Sequence, residues 1–367
     1  MFNSKKPYNR LPLLPPRVNF DDVKLLKLVN RANMALSELN GSSRLLPDQF
    51  LLISPLVIKE GVASNKIENI NTTVKNVFKA EALYDLEKES GYAEKETLNY
   101  RKAIKYGARQ IKKNKALTIE DILKIQSFIE PKKAGIRNTR VSIVNNLTEK
   151  TIYTPPQGYA LILKKLKNFQ IYFNNQDFRK VDPLIKLAVL HYQFEAIHPF
   201  RDGNGRTGRI LAVLYLVMVK RLDLPILFLS GYILKHRSQY YNCLKAVTKS
   251  KKWLKMTEFF LKAVIFQARQ STKDILRIKR LMQKYKNLDT TKRNSFFSPQ
   301  LLDYLFSSPF YTQKTMQKKL KIHRNTASKY FNYLEELKIV KKFKYKKYNV
   351  YYNQEFLEIL SPKMNNY

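Results

Sequence analysis

Cysteine is almost missing from these 367 residues. Cys243 stands alone and the four histidines are scattered, which excludes an internal disulfide and a Cys/His cluster for structural zinc. Any metal the chain uses is expected to be bound through oxygen. Acidic side chains are scarce as well: 29 Asp and Glu face 68 Lys and Arg, a formal net charge of +39. Such a field draws phosphate-bearing ligands, nucleic acid or acidic partners over about a Debye length, ~8 Å at physiological salt. Long apolar runs are lacking too. The longest, Ile210 to Val219, is about half of the ~20 residues that a membrane-spanning helix needs, and Lys220 and Arg221 end it. The start, Met1 to Lys6 and then leucines broken by proline, has no signal-peptide core and no small-residue cleavage site. No membrane contact is expected, and the cytoplasm is the expected compartment.

What the chain does have is apolar mass in a helical period. At 44 % apolar it can bury a large core, and its length predicts two or three domains. Apolar residues recur at three- and four-residue spacing from Asp21 to about Gln267, so the fold class is mainly α. After an extended, Pro-rich start, the spacing predicts a helix over 21–39 that Asn40-Gly41 stops. Further helices are predicted over 47–66, 72–90, 93–113, 118–128, 156–174, 182–197, 206–219 and 234–267. Residues 140–153 break this pattern. There Arg140-Val141-Ser142-Ile143-Val144, polar Asn145-Asn146 and Thr151-Ile152-Tyr153 read as a β-hairpin. A polar linker, Asp289 to Ser295, sets off a small last domain. Its predicted helices at 301–306, 315–320 and 324–337, followed by strands at 340–343 and 348–352, give the order of a winged helix-turn-helix. The expected partition is an N-terminal helical region over 1–110, a core over 111–265, a linking helix and linker over 266–294, and the last domain over 295–367.

One segment carries chemistry: His198-Pro199-Phe200-Arg201-Asp202-Gly203-Asn204-Gly205-Arg206-Thr207-Gly208-Arg209. Pro199 cannot continue the apolar helix before it. Gly203 and Gly205 allow backbone N–H groups to converge on phosphate oxygens, and the helix that starts at Arg206 adds its positive end. Arg206 and Arg209, three apart, share a face and can fork onto phosphates. Asp202 is the loop's only carboxylate and a natural oxygen ligand for Mg²⁺. His198 can take a proton from an incoming hydroxyl near neutral pH.

The segment resembles the signature of the Fic family, His-Pro-Phe-x-Asp/Glu-Gly-Asn-Gly-Arg-x-x-Arg, at every specified position. The resemblance implies an all-helical Fic fold with a β-hairpin flap and an ATP site formed by His198, Asp202, Gly203, Asn204, Gly205, Arg206, Thr207, Gly208 and Arg209. His198 would be the general base, Asp202 the Mg²⁺ ligand, Asn204 with the loop amides the holder of the α-phosphate, and Arg206 and Arg209 the grip on the outer phosphates. Phe200 would pack inward. The Gly-Asn-Gly-Arg form resembles the AMP-transferring members, which implies transfer of AMP from ATP to a Ser, Thr or Tyr hydroxyl of a target protein, the chain itself included.

The resemblance extends to both sides. The hairpin at 140–153 falls where the family has its flap, and Val141, Ile143 and Val144 would face the pocket; an ordinary surface hairpin is the alternative. Tyr240-Tyr241 fall where the family often has a Tyr-Tyr pair beside adenine, although aromatics on a helix are also common core residues. Thr248 stands where some members have an asparagine. Upstream, Ser64, Glu68 and Asn69 match the inhibitory motif Ser/Thr-x-x-x-Glu-Gly/Asn, with Asn65 in place of the usual second serine. This implies that Glu68 pairs with Arg209 and blocks a productive ATP pose; in some relatives such a glutamate also serves removal of AMP. In the last domain Arg324, Asn325 and Lys329 open the predicted third helix, and lysines decorate the strands after it. That surface suits DNA, a docked partner or a homodimer. A DNA-binding regulator with a nucleotide-sensing core is therefore the rival to the enzyme.

Overall fold

The computed structural model describes residues 2–45, 49–87, 90–144, 149–177, 181–288 and 296–361. The predicted hairpin turn at Asn145-Asn146 and the predicted linker from Asp289 to Ser295 lie outside them. Among the described residues are fifteen α-helices and five short strands. They fall into two compact units, Met1–Asn40 with Asn99–Arg269 and Gly41–Leu98 with Gln270–Tyr367.

In chain order the helices are α1 (Val23–Ser43), α2 (Gln49–Ile67), α3 (Val74–Glu87), α4 (Tyr92–Asn114) and α5 (Ile119–Ile129). Strands β1 (Ile143–Val144) and β2 (Thr151–Tyr153) follow. Next come α6 (Tyr159–Asn174), α7 (Pro183–Ile197), α8 (Asn204–Met218), α9 (Leu229–Lys235), α10 (Arg237–Ser250) and the long α11 (Trp253–Asn287). The C-terminal part contains α12 (Pro299–Ser307), β3 (Phe310–Thr312), α13 (Gln313–Leu320), α14 (Arg324–Glu336), β4 (Lys341–Tyr345), β5 (Tyr348–Tyr352) and α15 (Gln354–Leu360).

The first unit is built around α7, which is apolar on every side and buried along nearly all its length, as a central helix must be. It packs on α6 and α8. Asp182 caps it through a hydrogen bond from the Leu184 amide at 2.7 Å, with Pro183 in the first turn. Gly208 lets α8 approach α7 closely, since a Cβ there would stand 2.8 Å from Glu195 Oε1. α5 opens with a capping box in which Thr118 and Asp121 each accept the other's amide, at 3.1 and 3.0 Å.

Two helix predictions need correction. α1 runs through Asn40-Gly41 to Ser43; the Asn40 side chain accepts the Asp223 amide at 2.8 Å instead of ending the helix. The single helix predicted over 234–267 is α9, α10 and the start of α11, broken at His236 and at Lys251, which takes a left-handed φ of 53°. A lysine in that conformation carries no sequence signature, and the apolar period runs on through the break.

In the second unit the sheet order is β3-β5-β4, antiparallel throughout. Phe331 stacks on Tyr351 with ring centroids 3.9 Å apart, and the Tyr285 hydroxyl donates to Asn353 Oδ1 at 3.1 Å. α12 and α15 lie on α2, and α3 lies against β3. Lys59 of α2 pairs with Asp274 of α11 at 2.5 Å. β3 and α15 escape the sequence reading because a three-residue strand and a seven-residue helix are too short for a period to show.

Candidate active site

α7 ends at His198, whose backbone is left-handed (φ 48°, ψ 59°), a conformation that a non-glycine residue holds only where its surroundings fix it. Its amide donates to the Phe194 carbonyl at 3.0 Å. Its Nδ1 lies 3.3 Å from the Glu195 carbonyl oxygen. A carbonyl only accepts, so Nδ1 carries the hydrogen and Nε2 is the basic nitrogen. The loop then closes over Asn204. The Asn204 Oδ1 accepts the Phe200 amide at 2.9 Å and its Nδ2 donates to the Phe200 carbonyl at 2.8 Å. This buried side chain, expected at the α-phosphate, therefore holds the loop's shape with both of its ends. Phe200 is fully buried beside Phe194, as expected.

Gly203 takes φ +79°, and a Cβ there would come within 3.1 Å of Ile129 and 3.2 Å of Glu130. Conformation and space both demand glycine at this position. Gly205, expected to share that freedom, is already the second residue of α8. Thr207, Gly208 and the guanidinium-bearing Arg206 and Arg209 are all buried in the first turns of that helix, where the N-terminal dipole favours anions.

The wall facing this loop was not foreseen. It comes from the end of α5 and the ten residues after it. Gln126, fully buried, donates to the carbonyls of Asp202 and Lys133 at 3.2 and 3.1 Å and accepts the Gly135 amide at 3.2 Å. Glu130 pairs with Arg206. Lys133 Nζ lies 2.5 Å from Asp202 Oδ2, and Asp202 Oδ1 accepts the Gly203 amide at 2.7 Å. Burial pushes the Asp202 carboxyl up, but the bonds from Lys133 and Gly203 and the charges of Lys133 and Arg206 outweigh it, so its pKa is lowered.

Arg137, 4 % exposed, is the other unforeseen residue. Its Nε donates to the His198 carbonyl at 2.8 Å, its Nη1 to Thr139 O at 3.1 Å and its Nη2 to Pro156 O at 2.6 Å. Its amide donates to Pro199 O at 2.9 Å, and Ile136 bridges Phe200. Burial lowers its pKa, but a guanidinium keeps its charge. One arginine thus ties both roots of the hairpin to the main chain of His198. The only sequence trace of this wall is polar residues set among Ile122, Ile125, Ile129 and Ile136.

Three family models fit consecutive stretches of the chain: Fic/DOC family N-terminal over residues 26–109, Fic/DOC family over 111–216, and Protein adenylyltransferase SoFic-like, C-terminal domain over 281–356. The chain belongs to the Fic/DOC family. A protein adenylyltransferase fic-1 of Caenorhabditis elegans is 30 % identical over 135 residues, 35 % of this chain and 24 % of that protein. A protein adenylyltransferase Fic of Nematostella vectensis is 33 % identical over 122 residues, 32 % of this chain and 27 % of that protein. The chain thus spans about a quarter of the length of these curated relatives. A crystal structure of a Fic family protein from Desulfovibrio desulfuricans shares the fold over 93 % of this chain and 98 % of its own, with a TM-score of 0.59 at 19 % identity.

The flap position of this Fic chain is a two-stranded hairpin in which Ile143 pairs with Tyr153 and Val144 with Thr151. Val141 and Ile143 are half-buried and Val144 is exposed. The hairpin is anchored twice more. The Tyr153 hydroxyl donates to the Ala196 carbonyl at 2.7 Å, and the Tyr8 amide donates to Thr154 O at 3.0 Å, binding the N-terminal arm alongside. Of the tyrosine pair, Tyr240 is buried and its hydroxyl lies 2.8 Å from Nε2 of His191. His191 is itself depressed to about 3 by burial and then by the charge of Arg209, so it is neutral. Tyr241 is exposed and is the ring of the pair open to solvent. Thr248 is committed to the core, with bonds of 3.0 Å to the Tyr192 hydroxyl and the Leu244 carbonyl.

In the second unit the segment that resembles the inhibitory motif is the C-terminal end of α2. Ser64 and Asn65 are buried, and Asn65 Nδ2 donates to Thr97 Oγ1 at 3.0 Å. The helix then stops in a Schellman motif: the Ile70 amide reaches Asn65 O at 3.0 Å and the Asn69 amide reaches Lys66 O at 3.2 Å. Asn69 supplies the required positive φ of 61°. The motif's Gly/Asn position is thereby explained, because these two residues tolerate that conformation best. Glu68, the capping residue, is exposed.

Proposed function

We propose that this chain is a protein adenylyltransferase. The hydroxyl of a Ser, Thr or Tyr on a target protein attacks the α-phosphorus of ATP; a new O–P bond forms, the bond to the β-phosphate breaks, and pyrophosphate leaves. The hydroxyl proton passes to His198 Nε2. The observation that carries this reading is the contact of His198 Nδ1 with the Glu195 carbonyl, which leaves Nε2 as the base, at the mouth of a loop whose shape Asn204, Gln126 and Arg137 hold in advance. Arg206 and Arg209 would balance phosphate charge from the start of α8.

Mg²⁺ fits as a companion of the nucleotide. No cluster of three His, Cys, Asp or Glu able to hold a metal exists among the described residues, whereas one carboxylate plus phosphate oxygens is an ordinary Mg²⁺ site. Asp202 would supply that carboxylate in place of its pairing with Lys133. The ion would neutralise charge on the phosphates.

We further propose that Glu68 restrains this activity by competing with the nucleotide for Arg209. The match of Ser64, Glu68 and Asn69 to the inhibitory motif, on a helix end whose backbone is firmly terminated, supports that role. Incubation of the wild type, Glu68→Gly and His198→Ala with α-³²P-ATP and Mg²⁺, followed by autoradiography, tests both proposals. Label on Glu68→Gly, weaker on wild type and absent from His198→Ala, is the expected pattern. Equal labelling of His198→Ala would overturn the base assignment, and equal labelling of wild type and Glu68→Gly would overturn the brake.

A further inference from the structure

We propose that the C-terminal domain carries a docking face for duplex DNA, formed by the solvent side of α14 and by the β4–β5 hairpin. The order α12, β3, α13, α14, β4, β5 is that of a winged helix, with α14 in the recognition position. α13 is followed by the three-residue turn 321–323, in which Lys321 takes φ 54° and His323 caps α14, its Nδ1 accepting the Asn325 amide at 3.3 Å. Along α14 the residues divide lengthwise. Ala327, Phe331 and Leu334 are buried, whereas Arg324, Asn325, Lys329 and Asn332 are exposed. Asn325, Lys329 and Asn332 follow one another at i, i+4 and i+7, so they form a single outward stripe. At about 1.5 Å per residue α14 is roughly 20 Å long, and a helix fits the ~12 Å width of the major groove. Arginine and asparagine are the side chains that grip base edges with two bonds.

The hairpin is held so that its charge faces outward. β4 alternates half-buried Phe343 and Tyr345 with exposed Lys342 and Lys344. Lys79 of α3 lies 5.6 and 5.0 Å from the Phe343 and Tyr345 rings, which fixes the aromatic side of the strand. Lys346 and Lys347, at the turn, are exposed. Residues 311–352 contain twelve Lys or Arg against two Glu, a surface complementary to a polyanion.

Other polyanions suit this face less well. A lipid surface requires apolar side chains to insert, yet residues 311–352 expose no large hydrophobic side chain. A single strand is bound by stacking bases on open aromatic rings, yet Tyr330 and Tyr333 pack edge-on against Phe296 at 5.0 and 4.6 Å. The duplex is the polyanion that needs a ridge with flanking cations.

The test is fluorescence anisotropy of the full chain, without ATP, on a labelled mixed-sequence duplex of two helical turns, about 20 base pairs, at salt from about 50 to 200 mM. Because a strongly basic chain binds any polyanion to some degree, two variants of equal charge loss are compared. One is Arg324→Gln/Lys329→Gln/Lys344→Gln on the face. The other is Lys102→Gln/Arg109→Gln/Lys113→Gln on exposed positions of α4. The face variant is expected to lose affinity tenfold or more and to flatten the salt dependence by about two to three phosphate contacts. The α4 variant is expected to stay within about twofold of wild type. Equal losses in both variants, tighter binding of the single strand, or displacement of the duplex by polyglutamate at equal charge would each overturn the proposal. His198→Ala is expected to bind DNA as wild type does, so failure of the adenylylation reading leaves this result standing.

Discussion

The loop at 198–209 in the first unit and the segment 64–69 in the second are both ends of helices, yet they are made by different means. The loop is held from afar: Gln126, Glu130, Lys133 and Arg137 reach it from another part of the chain, and Asn204 and Arg209 have only 3 % and 1 % of their surface exposed. The α2 end is terminated by its own backbone, through hydrogen bonds from the Glu68, Asn69 and Ile70 amides and the φ of Asn69, with the Asn65–Thr97 bond behind it, and Glu68 is exposed. A site shaped by distant residues resists change piece by piece. An end shaped by its own backbone lets one side chain be exchanged without loss of the fold.

The contrast is broken most severely at His198. In the Glu68→Gly background, His198→Ala is expected to lower transfer of labelled AMP by about 10²–10⁴-fold while the thermal midpoint hardly moves. A matching fall in that midpoint would mean that the side chain acts through structure. Arg137→Ala comes next. It strands buried carbonyls of His198, Thr139 and Pro156, and each bond to a charged donor is worth about 1.5–3 kcal/mol. Both activity and the midpoint of thermal unfolding should drop, by several degrees in the latter, and Arg137→Lys should rescue neither, because an ammonium cannot span three carbonyls. Rescue by lysine would show that only the charge matters.

Smaller effects are expected from two single exchanges, one at the local end and one in the wall of the loop. Glu68→Gly should raise self-labelling about tenfold or more and leave the thermal midpoint within about a degree or two, since the exchanged side chain is exposed and stands past the last residue of α2. A large loss of stability there would end the comparison drawn above. Lys133→Gln is the mildest. Asp202 is depressed in the folded chain, so it stabilises above its unfolded pKa and that contribution fades as pH falls through the lowered value. Without Lys133 the Asp202 pKa rises, so the acid limb of the kcat/KM profile, which reports the nucleotide-free chain, should shift to higher pH. An unmoved limb would separate Asp202 from the titration.

The segment His198 to Arg209 and the helical character of the body were legible because local rules govern them: proline ends a helix, glycine allows the turn, and apolar spacing marks buried faces. What stayed hidden depended on distance. Nothing in the sequence around Arg137 reveals that its guanidinium meets a carbonyl 61 positions away. The core position of Tyr240 was one of two readings, and the choice between them was hidden for the same reason, since its partner His191 is 49 residues upstream. The break at Lys251 was missed because backbone conformation, rather than residue type, makes it.

The solitary Cys243 has a practical consequence. Its thiol is buried, donates weakly to the Lys255 carbonyl at 3.7 Å, and is pushed up in pKa by its surroundings, so it is a slow nucleophile. The chain is therefore nearly blank toward maleimides and spin labels. A second thiol placed at exposed Lys66, two residues before Glu68, would take up a probe almost alone and report motion of the α2 end as nucleotide is added.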